Sequence, residues 1–219
     1  MYIAFEWVVG TGKSTQSKRL YEYIQKKYPD TPLEFVREPG GTEIAESIRR
    51  MVQWTARKEE MHPLTDAYLY AAARVQLMQA KIKPILNQWG IVVADRCFVS
   101  SLAYQWYAQG LWIEKVFLIN RQALLDCLPD VVLFMDLDIE VGLSRTFDAD
   151  GDKWEKKNAD FFRTIERGYR EASKHPQVAP LRENIDASGT QDEVRQKLLN
   201  ALTWHRLWNM FSLADEAHG

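Results

Sequence analysis

The stretch Phe5-Glu6-Trp7-Val8-Val9-Gly10-Thr11-Gly12-Lys13-Ser14-Thr15 constrains the fold more than any other part of the chain. A short apolar run, Tyr2 to Phe5, precedes it, and a helical pattern, Gln16 to Lys27, follows. Strand, glycine loop, Gly-Lys-Ser and helix, in that order, are the layout of a P-loop. Such a loop grips nucleotide phosphates by its backbone N–H groups, by the partial positive charge of the helix N-terminus and by the Lys ammonium. Gly10, Thr11, Gly12, Lys13, Ser14 and Thr15 are therefore expected around the phosphates, with the Ser14 hydroxyl offered to Mg²⁺. One residue breaks the pattern, because its first position calls for Gly and carries Trp7.

The remaining elements alternate. Short apolar runs at Leu33–Val36, Ile91–Ala94 and Val131–Met135 read as strands covered on both faces, and a further short strand is expected near Asn184–Asp186. Helical patterns lie between them, at about 14–28, 43–52, 63–88 with a break at Pro84, 99–107, 114–126, from 140, 158–174 and from 191. With no repeat and no linker, the pattern predicts one α/β domain over 1–203 with a five-stranded parallel sheet and right-handed crossovers. Residues 204–219, with Trp204, Trp208 and Phe211, read as a C-terminal extension that forms an extra packed helix, and they carry no functional signal.

Charge and cysteine usage limit the partners. The net charge of −2 leaves no basic footprint for a nucleic-acid polymer. The two cysteines, Cys97 and Cys127, form no disulfide framework and fit a reducing cytosol. No apolar run reaches the roughly 20 residues of a membrane span, and the strand and P-loop begin without a signal pattern, so a cytoplasmic protein is expected. Asp95, at the end of a strand, is expected as the carboxylate that holds Mg²⁺ directly or through water.

Four further stretches carry a resemblance: Arg37-Glu38-Pro39-Gly40-Gly41-Thr42, Tyr70-Ala71-Ala72-Ala73-Arg74, Asp95-Arg96 and Ser100-Ser101-Leu102-Ala103-Tyr104-Gln105. In this order and spacing, from Ile3 to about Leu202, the chain resembles the thymidylate kinases, P-loop enzymes that move a phosphoryl group from ATP to dTMP. The resemblance implies a P-loop NTPase three-layer sandwich, with a mobile lid at about 146–157, and a homodimer using the apolar faces of the second and third helices. It implies that Tyr70 stacks on thymine while Arg74 donates to it; four residues apart, both lie on one helix face. Arg37, Arg96 and Arg49 would hold the acceptor phosphate through bidentate guanidinium forks. Tyr104 and Gln105 would contact the nucleoside, the Tyr crowding the 2′ face of the sugar. Lys13, Arg96 and two lid cations, Arg145 and Lys153, would neutralise the transferring phosphoryl group.

Several departures bear on activity. The family's lid stretch carries Arg where Asp152-Lys153-Trp154-Glu155 has Lys153, which keeps the charge and loses the fork. The family's usual acid in the P-loop is replaced by Val9. Two other readings therefore stay open: another nucleoside monophosphate kinase, or a catalytically impaired nucleotide-binding homologue. Trp7, Trp89, Trp106 and Trp112, with Trp54 as a further candidate, fall where glycine is expected. The chain holds eight Trp and only 11 Gly in 219 residues, against a usual Gly share of about 7%. UGA is read as Trp in some genetic codes and as Gly in others, so these positions are read as UGA codons of a lineage that inserts Gly. True divergence is the alternative.

Overall fold

The computed structural model describes residues 1–54, 58–145 and 158–204. The expected lid at 146–157, Lys153 within it, and the C-terminal extension beyond residue 204 lie outside the described residues. Among the described residues, five strands form one sheet: β1 (Tyr2–Glu6), β2 (Leu33–Arg37), β3 (Ile91–Asp95), β4 (Val131–Asp136) and β5 (Leu181–Asp186). Their order is β2-β3-β1-β4-β5 and every pairing is parallel. The inner strands are apolar runs because helices flank the sheet; β1 and β3 are buried throughout. β5 begins earlier than its sequence suggests. It is a polar, partly exposed edge strand, Leu-Arg-Glu-Asn-Ile-Asp, whose pairing with β4 no apolar run announces.

Helix α1 (Lys13–Lys27) packs on β1, β2 and β3 and meets α9 (Gln191–Trp204), which packs on β5. Lys26 and Lys27 sit in the last turn of α1, where the helix dipole favours cations. α2 (Glu43–Gln53) starts at Thr42, whose Oγ1 accepts from the Ala45 N–H at 3.2 Å. The long helical stretch from residue 63 splits into α3 (Pro63–Leu77), a π-helical turn (Met78–Ile82) and α4 (Lys83–Leu86). Pro84 supplies the cause. It has no N–H and its ring would strike the carbonyl one turn earlier, and the wider π turn relieves that clash. The expected helix at 99–107 is a short α5 (Val99–Ser101) that runs into a second π segment, Leu102–Ala108. That segment joins α3, α6 (Ile113–Leu124) and α8 (Ala159–Ser173), and α7 (Ile139–Ser144) packs on α8.

Register brings the site together. Arg37 of β2 lies opposite Asp95 of β3, and Asp95 lies opposite Phe5 of β1. The carboxyl ends of the central strands thus finish at one level, where open α/β sheets bind ligands.

Two of the four main tryptophan positions hold a backbone that suits glycine. Trp7 has φ 147° and Trp89 has φ 59°. Trp112 does not, with φ −67°, nor does Trp54 with φ −63°. Trp106 lies within the second π segment and is not among the positive-φ residues. The Trp7 indole does not reach into the phosphate loop. It is 1% exposed, stacks on Tyr169 with ring centroids 5.6 Å apart, and meets Phe134 edge-on at 6.1 Å.

Candidate active site

The loop between β1 and α1 is built to leave donors open. Gly12 caps α1 in a left-handed conformation, φ 83°, and no side chain caps the helix. The first N–H groups of α1 are thus left for an anion. Gly10, φ 76°, passes so close to α7 that a Cβ there would run into the Gly142 carbonyl. Lys13 Nζ donates to the Val8 carbonyl at 3.1 Å, and Thr11 Oγ1 donates to the same carbonyl at 3.4 Å. Residues Gly10 to Gln16 line an open cleft of about 640 Å³ together with Arg145, Ala187, Gly189, Thr190, Gln191 and Val194. Arg145 Nη1 lies 3.5 Å from the Gly10 carbonyl, at the edge of the loop.

A second cavity, of about 320 Å³, shares Gly10, Lys13 and Ser14 with that cleft. Its lining brings together all seven acceptor residues expected from sequence, Arg37, Arg49, Tyr70, Arg74, Arg96, Tyr104 and Gln105, with Asp95, the expected metal carboxylate. Thr11, Gly12, Thr15 and Arg145 line the donor cleft instead. Val9, where an acid is usual in the family, also lines the cavity and can accept no proton there.

Each acceptor arginine, and Gln105, is held by a partner. Arg37 Nη2 donates to Glu46 Oε1 at 2.8 Å, and the same oxygen accepts the Gly41 N–H at 2.8 Å. Partial burial of Glu46 works to raise its pKa, but the Gly41 amide and Arg37 outweigh it and hold the carboxyl below its ordinary range. Arg49 Nη1 donates to the Pro39 carbonyl at 2.8 Å, next to the cis Glu38–Pro39 peptide. Arg74, 2% exposed, donates from Nε to Glu38 at 2.6 Å, from Nη1 to Asn120 and from Nη2 to Ser101 at 3.5 Å. Burial pushes the Glu38 carboxyl up, with Arg74 pulling against it. Gln105 Nε2 donates to Asp66 Oδ2 at 3.0 Å, and Gln109 donates to the same oxygen at 3.0 Å.

Arg96 is the most constrained of them. Its backbone is left-handed, φ 73°, and Nη1 faces the Trp7 carbonyl at 3.1 Å, Ser100 Oγ at 3.1 Å and Tyr169 Oη at 2.7 Å. Its guanidinium lies 5.9 Å from the Tyr104 ring. Burial works against its charge, but the neighbouring phenols of Tyr169 and Tyr104 and the carboxylates of Glu6 and Asp95 prevail and hold its pKa well above the ordinary value. Asp95 is 7% exposed, and its Oδ1 is buried without a hydrogen-bond partner among the described residues.

Sequence reasoning left several residues without a role: Glu6, Asp66, Ser101, Asn120 and Tyr169, and the donor-side loop at 187–191 after β5. One signal was present. Glu6 ends an otherwise apolar strand, and a charge there is buried and must be paired. The others come from distant helices, and only the packing brings them to the site.

The chain is similar to known proteins over most of its length. A family model described as thymidylate kinase matches residues 5–198. Among curated proteins, the chain is 38% identical over 168 residues to the thymidylate kinase of Thermoanaerobacter sp. (strain X514), covering 77% of this chain and 81% of that one. It is 36% identical over 199 residues to that of Symbiobacterium thermophilum, covering 90% of each. Among solved structures, it resembles a crystal structure of thymidylate kinase from Ehrlichia chaffeensis, with a TM-score of 0.74, 26% identity, and coverage of 92% of this chain and 98% of that one.

Proposed function

We propose, from the premise that this chain belongs to the thymidylate kinase family, that its cavity and cleft are the acceptor and donor halves of one dTMP kinase site. The enzyme is an ATP-dependent nucleoside monophosphate kinase that phosphorylates dTMP to dTDP, a step toward dTTP. The observation that carries the assignment of halves is the shared lining. Gly10, Lys13 and Ser14 belong to both spaces, so a phosphoryl group held by the loop stands between the two nucleotides.

On the donor side Gly10, Thr11, Gly12, Ser14 and Thr15 cradle the ATP phosphates, and Lys13 leaves the Val8 carbonyl for a phosphate oxygen. On the acceptor side Tyr70 stacks on thymine, Arg74 donates to it, Tyr104 and Gln105 line the sugar, and Arg37, Arg49 and Arg96 take the phosphate. Lys13, Arg96, Arg145 and Lys153 neutralise the transferring group, whose chemistry is mainly positioning and charge compensation. Ser14 and Asp95 would hold Mg²⁺, and the orphaned Oδ1 of Asp95 supports that role. Mg²⁺ held there would supply charge compensation on the phosphate oxygens. Val9 supplies no acid. Asp95 and Glu38 are the carboxylates lining the cavity, and Glu38 is tied to Arg74. Residues 1–203 act as one kinase domain with a lid at 146–157. The domain pairs into a homodimer through α2 and α3, where Ile44, Met51 and Tyr68 are exposed. No helix among the described residues is long and apolar enough to cross a membrane, and the free Cys97 and Cys127 support a cytoplasmic setting.

A coupled assay with dTMP, UMP, CMP and AMP tests the reading. Turnover with dTMP should exceed that with each rival, and Tyr70→Ala should raise KM for dTMP by about 10-fold or more, in line with base stacking of about 1–3 kcal/mol. No turnover with any acceptor, from protein shown to be folded, leaves only nucleotide binding. Tyr70 is the better probe than Arg74, because Arg74→Ala would strand the buried Glu38 charge and cost about 3–5 kcal/mol of stability.

A further inference from the structure

We propose that Glu6, Tyr169 and Ser100 are positioning residues that fix the Arg96 guanidinium against the acceptor phosphate. The inference rests on the phosphate role given to Arg96 above and adds the device that makes the role possible.

The Glu6 side chain is fully buried at the end of β1. Its Oε1 accepts the N–H groups of Cys97 at 2.8 Å and Ser100 at 3.0 Å. Its Oε2 receives Ser100 Oγ at 2.8 Å and Tyr169 Oη at 2.9 Å. Glu6 Oε2 accepts from both hydroxyls, which also lie 2.9 Å from each other. Each hydroxyl oxygen also carries lone-pair density, and Arg96 Nη1 donates to it on both oxygens. The direct separation between Arg96 and Glu6, 3.7 Å, is longer than a hydrogen bond. The two hydroxyls therefore relay the ion pair and set its angle.

This arrangement engages one end of the fork. Nε and Nη2 of Arg96 have no hydrogen-bond partner among the described residues, while the side chain lines the acceptor cavity. That edge is the one a phosphate can take in a bidentate grip. The left-handed backbone at Arg96 costs about 1–2 kcal/mol, and such strain persists where the surroundings over-determine the geometry. A role confined to filling space would not need the phenol, since Phe has the ring of Tyr169 without its Oη. That oxygen reaches Glu6, Ser100 and Arg96 from α8, far along the chain.

Steady-state kinetics on the full-length enzyme test the proposal with Tyr169→Phe, Glu6→Gln, Arg96→Ala and the double variant Arg96→Ala/Tyr169→Phe. Arg96→Ala should raise KM for dTMP by about 100-fold, as for loss of a charged hydrogen-bonding group. Tyr169→Phe should raise it by about 10-fold, leaving KM for ATP within about twofold. In the Arg96→Ala background the added Tyr169→Phe should change KM for dTMP by less than about twofold, because the group it positions is gone. An unchanged KM in Tyr169→Phe, or the same effect in both backgrounds, overturns the positioning role. An Arg96→Ala enzyme with normal KM for dTMP would instead overturn the phosphate role itself. Should Glu6→Gln fail to fold, the Tyr169 pair of measurements decides alone.

Discussion

At position 7, two costs compete with one gain. An L side chain at φ 147° carries about 1–3 kcal/mol of backbone strain, and the indole N–H is buried without a partner among the described residues, worth about 1–3 kcal/mol more. Against them stands the packing of a large ring on Tyr169 and Phe134, the kind whose loss costs about 3–5 kcal/mol. The terms nearly cancel, so the net effect of truncation is small while its ordering is sharp. Trp7→Gly should be more stable than Trp7→Ala by about 1–3 kcal/mol, since both lose the ring and only Gly relieves the backbone. Thermal melts in which Trp7→Ala equals or exceeds Trp7→Gly would remove the strain. Trp89 isolates the backbone effect, being 87% exposed at φ 59°. Trp89→Gly should raise Tm by about 2–4 °C, and the same change at Trp112, where φ is −67°, should not. A UGG codon at 7 or 89 would end the recoding reading there, whatever the strain.

Between β2 and α2, the loop from Glu38 to Thr42 depends on one carboxylate. Glu46 ties the Gly41 amide and the Arg37 guanidinium to the first turn of α2, while Thr42 caps that helix independently. Glu46→Ala should therefore leave α2 intact and raise KM for dTMP by about 10-fold through a freed Arg37, the size of one charged hydrogen bond. The pH dependence follows from the lowered pKa of Glu46. Its stabilising contribution is fully present above the unfolded value, near 4.3, and is lost as pH falls through the lower folded value. The stability gap between wild type and Glu46→Gln in urea melts should close in acid; a gap that widens there would contradict the hydrogen-bond pattern. Elements of this kind were legible to different degrees. Apolar runs marked β1 to β4, and helical periodicity over 43–52 marked α2. The π turns were not legible, because they keep helical periodicity and differ only in how packing and Pro84 shift the backbone ladder. The edge strand β5 hid its first half behind polar residues for the same reason: its pairing is tertiary.

For the molecule as a whole, the acceptor cavity is made from six separate elements, β2, β3, α2, α3, α5 and the Leu102–Ala108 segment, around the P-loop and the start of α1. The sequence showed the cationic and aromatic lining, since phosphate and base chemistry restrict residue types. It could not show the partners that orient them, such as Asn120 under Arg74 or Asp66 under Gln105, because those arrive from other helices. This division of labour has a measurable consequence. The Arg74 guanidinium is fixed by Glu38, Asn120 and Ser101, so in its proposed role its remaining donors would meet a thymine with little ordering cost. A ligand that fits this preset geometry stabilises the whole chain by mass action. At 100 times its Kd, dTMP should add about 2.7 kcal/mol, a rise in Tm of roughly 5–10 °C for a chain of this length. UMP, which lacks the thymine methyl and carries a 2′-hydroxyl that the proposed Tyr104 contact would crowd, should give less than about half that shift at the same concentration. Equal shifts from both nucleotides would mean that the cavity reads only the phosphate, and that Tyr70, Arg74 and Tyr104 line it without selecting the base or sugar.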